Sequence, residues 1–331
     1  MHFNEDDLFI LMDVLSGTLT YSLLFIKLII FTFNAHLLNE IITHVVEDWK
    51  RDDASEENIM TRIAYVSRRI SNLIITLYAM TVFCYATSTV LRYKINNQTD
   101  ARELIFRMEL PFEIKSTSVY IIVLVTQFVY QTSAASTAGM LNSLLITLVL
   151  HVCGQIDIVQ RKLHEITGKN IKRNITENIM KTVIIRHQKI ILFSKNIEGL
   201  FSSIAFIELF SNTLIICCLG FIIVVSIGVP GGTTVLLKSL VFYIMVCLDA
   251  FVFCFTGEYL STKSRMIGNA AYESLWYESN PSLNRNVLLM IVRSQKHLQL
   301  TAGKFVDLSL QQFTNIVKAS ASYVSVLHAM Y

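Results

Sequence analysis

An all-α, polytopic membrane fold with six visible transmembrane helices follows from three features of the chain. Hydrophobic residues fill 53% of its 331 positions and charged residues only 16%, against about 25% charge in a soluble domain. Mean hydropathy is +0.51, too high for a surface that faces water on all sides. Apolar runs of about 20 residues recur along the whole sequence, each long enough to cross ~30 Å of hydrocarbon at 1.5 Å per residue. These runs are far longer than the ~10-residue alternating strands of an outer-membrane barrel, so helices are expected.

The segments run, in order, from Leu8 to Phe33, Ile70 to Leu91, Val119 to Leu150, Leu200 to Val229, Thr233 to Thr256 and Phe305 to Ala329. Serine, threonine and aromatic residues are distributed through all six, the composition of helices that face both lipid and protein. Met1 to Asp7 carries Glu5, Asp6 and Asp7 where a secretory signal would be basic, so no signal peptide is read there.

Orientation follows from Lys and Arg, which are retained on the cytoplasmic side. Connections 34–69, 151–199 and 257–304 hold 5, 9 and 6 of them, 20 in all, against 5 in 92–118, Lys238 alone and none at either end, 6 in all. The basic connections are therefore expected inside and both ends outside, with the carboxyl terminus extracellular. Asn97, in Asn97-Gln98-Thr99, then lies outside and is the expected glycosylation site, whereas Asn174, in Asn174-Ile175-Thr176, lies inside.

The inner connections are helical in pattern. Ile156, Val159, Leu163 and Ile166, then Ile179, Val183 and Ile190, recur at helical spacing among Lys and Arg. They are expected to continue the spans into the cytosol and pack together.

The last third carries specific motifs. Phe253-Cys254-Phe255-Thr256-Gly257-Glu258-Tyr259-Leu260 is followed by Ala270-Ala271-Tyr272-Glu273-Ser274-Leu275-Trp276-Tyr277. The stretch Arg293 to Leu327 then holds Ser294-Gln295-Lys296, Thr301-Ala302-Gly303-Lys304-Phe305, Leu308-Ser309-Leu310, Phe313 and Ser322-Tyr323. These residues resemble the insect odorant receptor family, and Thr126-Gln127-Phe128 extends a looser likeness into the third segment. The resemblance implies seven helices, of which Leu8 to Phe33 resembles the second, so the family's first helix is missing from this chain. It also implies an odorant-gated cation channel subunit in the plasma membrane of a sensory neuron dendrite, working as a heterotetramer with a co-receptor.

On that reading the chain is a single membrane domain, 1–331. Residues 1–154 and 200–256 form the ligand-binding region, 155–199 and 257–304 a cytoplasmic anchor, and 305–331 the pore-lining helix. Counted back at helical spacing, Met330, Val326, Ser322, Ala319, Asn315 and Gln312 share one face of the last segment. A polar stripe in a membrane helix must meet water or protein, and an apolar ring above it can gate by dewetting. The resemblance places the gate at Val326 and Met330. Lys318, in the same segment, is a further functional candidate as an intramembrane charge, and Lys27 in the first segment is expected to snorkel to the inner interface.

The resemblance sets the ligand site among the outer halves of the first four spans. Met12, Leu15 and Leu19, then Met80, Phe83 and Thr87, then Tyr120, Leu124, Gln127 and Phe128 suit a volatile apolar guest, because small-molecule pockets are mostly apolar with a few polar groups. Lipid contact or helix packing is the competing use of each.

Other classes fit poorly. No GxSxG elbow, HExxH pair or phosphate-binding loop occurs, and His164-Glu165 lacks the second histidine of a zinc helix. Neither an enzyme nor a cofactor is expected. Six cysteines without CxxC spacing argue against a metal site, and a net charge of +3 without a basic run argues against nucleic acid. A G-protein-coupled receptor would end inside and carry an acidic-Arg-Tyr triplet and NPxxY, and a transporter would show an internal repeat. A gustatory-type chemoreceptor would carry Thr-Tyr where this chain has Ser322-Tyr323.

Overall fold

The computed structural model describes residues 5–50, 54–95, 104, 116–166, 173–227, 232–274, 276–278 and 281–330. Among them the order is α1 (Glu5–Phe33), α2 (Ala35–Trp49), α3 (Ala54–Ile95), α4 (Thr117–Ile166), α5 (Arg173–Ser226) and α6 (Thr233–Glu273). A single 3₁₀ turn, Trp276–Glu278, leads to α7 (Pro281–Gln295), β1 (Thr301–Ala302), β2 (Val306–Asp307) and α8 (Leu310–Met330). The all-α expectation holds.

Five described helices, α1 and α3 to α6, are long and apolar enough to cross a membrane. The expected sixth span, α8, is not among them. Its 21 residues include Gln311, Gln312, Asn315 and Lys318, which dilute the apolar face. It also begins later than expected, because residues 301–307 form a β-hairpin rather than the start of a helix.

With 50 residues in α4 and 54 in α5, these helices run for about 75–80 Å, more than twice the ~30 Å of a hydrocarbon core. The excess lies on the side of the basic connections. There the chain packs as a water-soluble protein does, with Leu145, Ile156, Val159, Leu163, Val183 and Ile197 fully buried. Charges packed into this region are paired: the buried Glu56 takes Lys162 and the buried Arg186, each at 2.5 Å, and the half-buried Lys263 meets Asp157 at 2.7 Å. The short helix α2 lies against the same bundle, with Asp48 3.1 Å from His151 and Glu40 accepting from Asn196 at 3.0 Å. At the level of the apolar segments the pattern inverts, and Phe83, Ile121, Ile122, Val125 and Phe210 point outward. A lipid solvent explains that inversion, since exposed apolar side chains are costly only against water.

Two close approaches fix how α8 is reached. A Cβ on Gly257 of α6 would run into the Leu308 carbonyl oxygen, so only glycine lets the strand exit pass there. The hairpin turns at Gly303 and Lys304, both with positive φ (62° and 65°), and is pinned to α5. The Gly303 and Lys304 amides donate to the Ser202 carbonyl (2.8 Å) and Oγ (3.2 Å), and Thr301 Oγ1 donates to Glu198 at 2.9 Å. The Thr301–Phe305 motif is therefore an anchor that docks the start of α8 on α5.

Candidate ligand cavity

A cavity of about 130 Å³ opens between α1, α3, α4, α5 and α6 at mid-height of their apolar segments. That volume is on the scale of cavities that accept a single aromatic ring. Its wall is largely apolar and aromatic: Leu23 and Tyr21 from α1, Val82 and Tyr85 from α3, and Phe242 and Met245 from α6. Small residues of α4, Ala134, Ala135 and Ala138, leave the space. Gly139 keeps α4 close to α3, since a Cβ there would press on the Tyr78 ring at 3.3 Å.

Charged and polar groups are set into this apolar wall. Lys27 and Glu208 form an ion pair, with side chains 5% and 1% exposed. Asn212 donates to Glu208 at 3.3 Å, and the Lys27 ammonium stands 5.8 Å from the Phe253 ring centroid. The expected snorkelling of Lys27 is thus corrected. Its partner sits on α5 at the same depth, so the ammonium satisfies itself inside the bundle rather than at the interface. Beside the pair, Asp249 Oδ1 accepts from Tyr78 Oη at 2.5 Å and from Asn142 Nδ2 at 2.9 Å. Gln131 Oε1 is buried on the cavity wall with no donor.

None of the ten residues expected to line the ligand site lines this cavity, which lies one to two turns deeper on α1 and α4 and extends onto α6. Met12 and Leu19 pack partly buried against the core, and Leu15 faces outward. Met80 is exposed, and Thr87 spends its hydroxyl on the Phe83 carbonyl. Tyr120 and Gln127 are buried, Leu124 is half-buried, and all three lie on the first turns of α4. Phe83 and Phe128 meet in a separate groove between α3 and α4. Helices apolar around their whole circumference carry no periodicity that separates lipid-facing from inward positions, which is why the helices were readable and the faces were not. Lys27, Glu208 and Asp249 did carry a signal: each is an ionisable residue inside an apolar segment, a functional mark in its own right.

In α8, Ile316 and Ser320 are buried against the neighbouring helices. Ser320 Oγ lies 3.5 Å from the Thr213 carbonyl of α5, Val324 fills the space above Gly220, and Phe313 meets Phe251 of α6 edge-on at 5.6 Å. The opposite side carries the expected stripe: Asn315, Ser322 and Val326 are exposed, and Gln312 and Ala319 half-buried. Lys318 is exposed on that side as well. The side chain of Met330 and the whole of Asn97 lie outside the described residues.

A family model described as 7tm odorant receptor matches residues 9–321. Odorant receptor 13a of Drosophila melanogaster is 24% identical, covering 99% of this chain and 82% of the relative. Odorant receptor 10 of Aedes albopictus is 27% identical over 57% of this chain and half of its own length. The fold is similar to that of the olfactory receptor OR5 of Machilis hrabei in complex with eugenol, with a TM-score of 0.77 at 14% identity, over 98% of this chain and 82% of that one.

Proposed function

From the premise that this chain belongs to the 7tm odorant receptor family, a family of multi-pass sensory receptors rather than enzymes, we propose that it is the odour-tuned subunit of an odorant-gated, non-selective cation channel. It resides in the plasma membrane with its carboxyl terminus outside, and assembles with a co-receptor subunit into a heterotetramer. The observation that carries this reading is α8. One side of the helix is packed against α5 and α6, while the stripe holding Asn315, Ser322 and Val326 is left uncovered by its own subunit. A membrane helix with an uncovered polar stripe needs water or another subunit along it, and a shared pore supplies both.

A volatile guest in the 130 Å³ cavity opens the channel by binding the open arrangement more tightly than the closed one, the whole energetic source of such gating. The eugenol bound by the Machilis receptor supports a small, largely apolar guest.

Coexpression with a co-receptor, with current recorded across an odour panel, tests the proposal. A current that depends on both subunits and falls at least tenfold in Val326→Trp at equal surface expression is expected. Undiminished conductance in Val326→Trp removes the pore assignment. A tag after Tyr331 that antibody reaches only in permeabilised cells overturns the orientation.

A further inference from the structure

We infer that the cavity between α1, α3, α4, α5 and α6 is built for a guest bearing an ammonium group, held by the Asp249 carboxylate. The inference rests on reading that cavity as the ligand site and names the chemical class it takes. One basic and two acidic side chains line the space: Lys27, Glu208 and Asp249. Lys27 is committed to Glu208, so the two carboxylates and one ammonium leave one negative charge over, and that charge is on Asp249. Its Oδ1 is satisfied by Tyr78 and Asn142. Both of these donors are neutral, and Asp249 forms no ion pair with the described residues. The Lys238 ammonium lies over the Tyr85 ring, 4.8 Å from its centroid, and Lys238 does not itself line the cavity.

An uncompensated charge in an apolar interior is costly until it is paired or neutralised. The unmet polar atom on the wall, Gln131 Oε1, is an acceptor, as a carboxylate is. A guest that satisfies both must donate without needing to accept. An alcohol brings one donor and two lone pairs, and an ester or ketone only acceptors, whereas an ammonium brings three donors, no acceptor and the missing positive charge. The aromatic composition of the wall, with Tyr21, Tyr78 and Phe242 among its residues, is compatible with a cationic guest, since aromatic rings attract cations. An ammonium entering against the carboxylate, and a free-base amine taking the proton of a neutral Asp249 carboxyl, reach the same ion pair.

The test compares 3-methylbutylamine with 3-methylbutan-1-ol, isosteres that differ in the head group, by the shift each gives to the thermal unfolding midpoint of the purified full chain in detergent at neutral pH. The amine is expected to raise the midpoint at a concentration at least tenfold below that needed of the alcohol. Asp249→Asn removes that difference, Asp249→Glu retains it, and Ala138→Phe, at a position that lines this cavity and not the α3–α4 groove, abolishes both shifts. An alcohol as effective as the amine, or an amine shift unchanged in Asp249→Asn, overturns the ammonium assignment while leaving the cavity as a ligand site. If Asp249→Asn does not fold, the wild-type comparison and Asp249→Glu decide the matter alone. Shifts that persist undiminished in Ala138→Phe overturn the reading of this cavity as the ligand site, and the inference with it.

Discussion

Replacing Lys27 with methionine removes an ammonium from the middle of the bundle and keeps most of the side-chain volume. Glu208 is then left with Asn212 at 3.3 Å as its remaining hydrogen-bond donor, in a side chain 1% exposed. Breaking a buried ion pair from one side costs about 3–5 kcal/mol, whereas replacing both partners with neutral groups is often close to neutral. Glu208→Gln in the same chain keeps an oxygen for Asn212 and withdraws the orphaned charge. Lys27→Met is therefore expected to lose about 3–5 kcal/mol and the double variant ~1 kcal/mol, so that the cycle closes with an interaction above ~2 kcal/mol. Equilibrium unfolding of the purified protein in mixed micelles, followed by circular dichroism for the wild type, both single variants and the double, reads these differences. Effects that add to within ~0.5 kcal/mol, as independent sites do, would show that the two side chains do not meet in the folded protein.

Gly257→Ala places a methyl 2.5 Å from Leu308 Cβ and against backbone that no rotamer change can move, so a loss of about 1–3 kcal/mol is expected on the same unfolding curves. Gly220→Ala meets only the Val324 side chain, at 2.7 Å, and a rotamer change that lets Val324 yield makes its effect smaller than that of Gly257→Ala; the reverse order refutes the packing described. Ser202→Ala leaves the Lys304 amide without its Oγ acceptor and is expected to cost about 1–2 kcal/mol, visible as earlier proteolysis at the hairpin. Glycosidase treatment is expected to shift the mobility of the wild type and of Asn174→Gln but not of Asn97→Gln, and a shift lost only in Asn174→Gln inverts the orientation.

Five of the six expected spans, and their order, were legible because ~20-residue apolar runs have few other uses. The faces of those helices were not. Leu15, Met80 and Phe83 are as apolar as Leu23, Val82 and Phe242, yet the first three face outward or lie in a side groove and the second three line the cavity. Lipid rewards an outward leucine as fully as the core rewards an inward one, so composition alone cannot sort them. The polar residues were the better guide. Asn315 and Ser322 in α8 were legible as a stripe because polar side chains in an apolar helix have few places to go, and the structure leaves them together on the uncovered side. Glu208 and Asp249 obey the same rule at single positions. The hairpin at 301–307 was hidden for a different reason: its strands are two residues long, shorter than any periodicity can register, and its turn depends on Gly303 and Lys304 sharing a left-handed conformation.

The path from a bound guest to α8 is constrained by which helices touch both. In α5, Glu198 and Ser202 hold the hairpin that begins α8, Glu208, Asn212 and Ile215 face the cavity, and Thr213 and Gly220 meet Ser320 and Val324 of α8. In α6, Asp249 faces the cavity, Phe251 packs on Phe313, and Gly257 lies against Leu308. Both helices are thus anchored to α8 below the cavity and in contact with it alongside or above, while α1, α3 and α4 share the cavity wall without these contacts. A guest that draws Asp249 or Glu208 toward the cavity must rotate or translate α5 or α6, and rigid helices carry that displacement along their length rather than absorbing it locally. The Gly257 contact, where backbone meets backbone, is the stiffest of these links, so a substitution there is expected to alter gating as well as stability. The Val324 contact, side chain on backbone, has room to yield. Sensitivity to odorant should therefore respond more to Gly257→Ala than to Gly220→Ala at matched surface expression, and equal dose-response curves for the two would place the coupling elsewhere in the bundle.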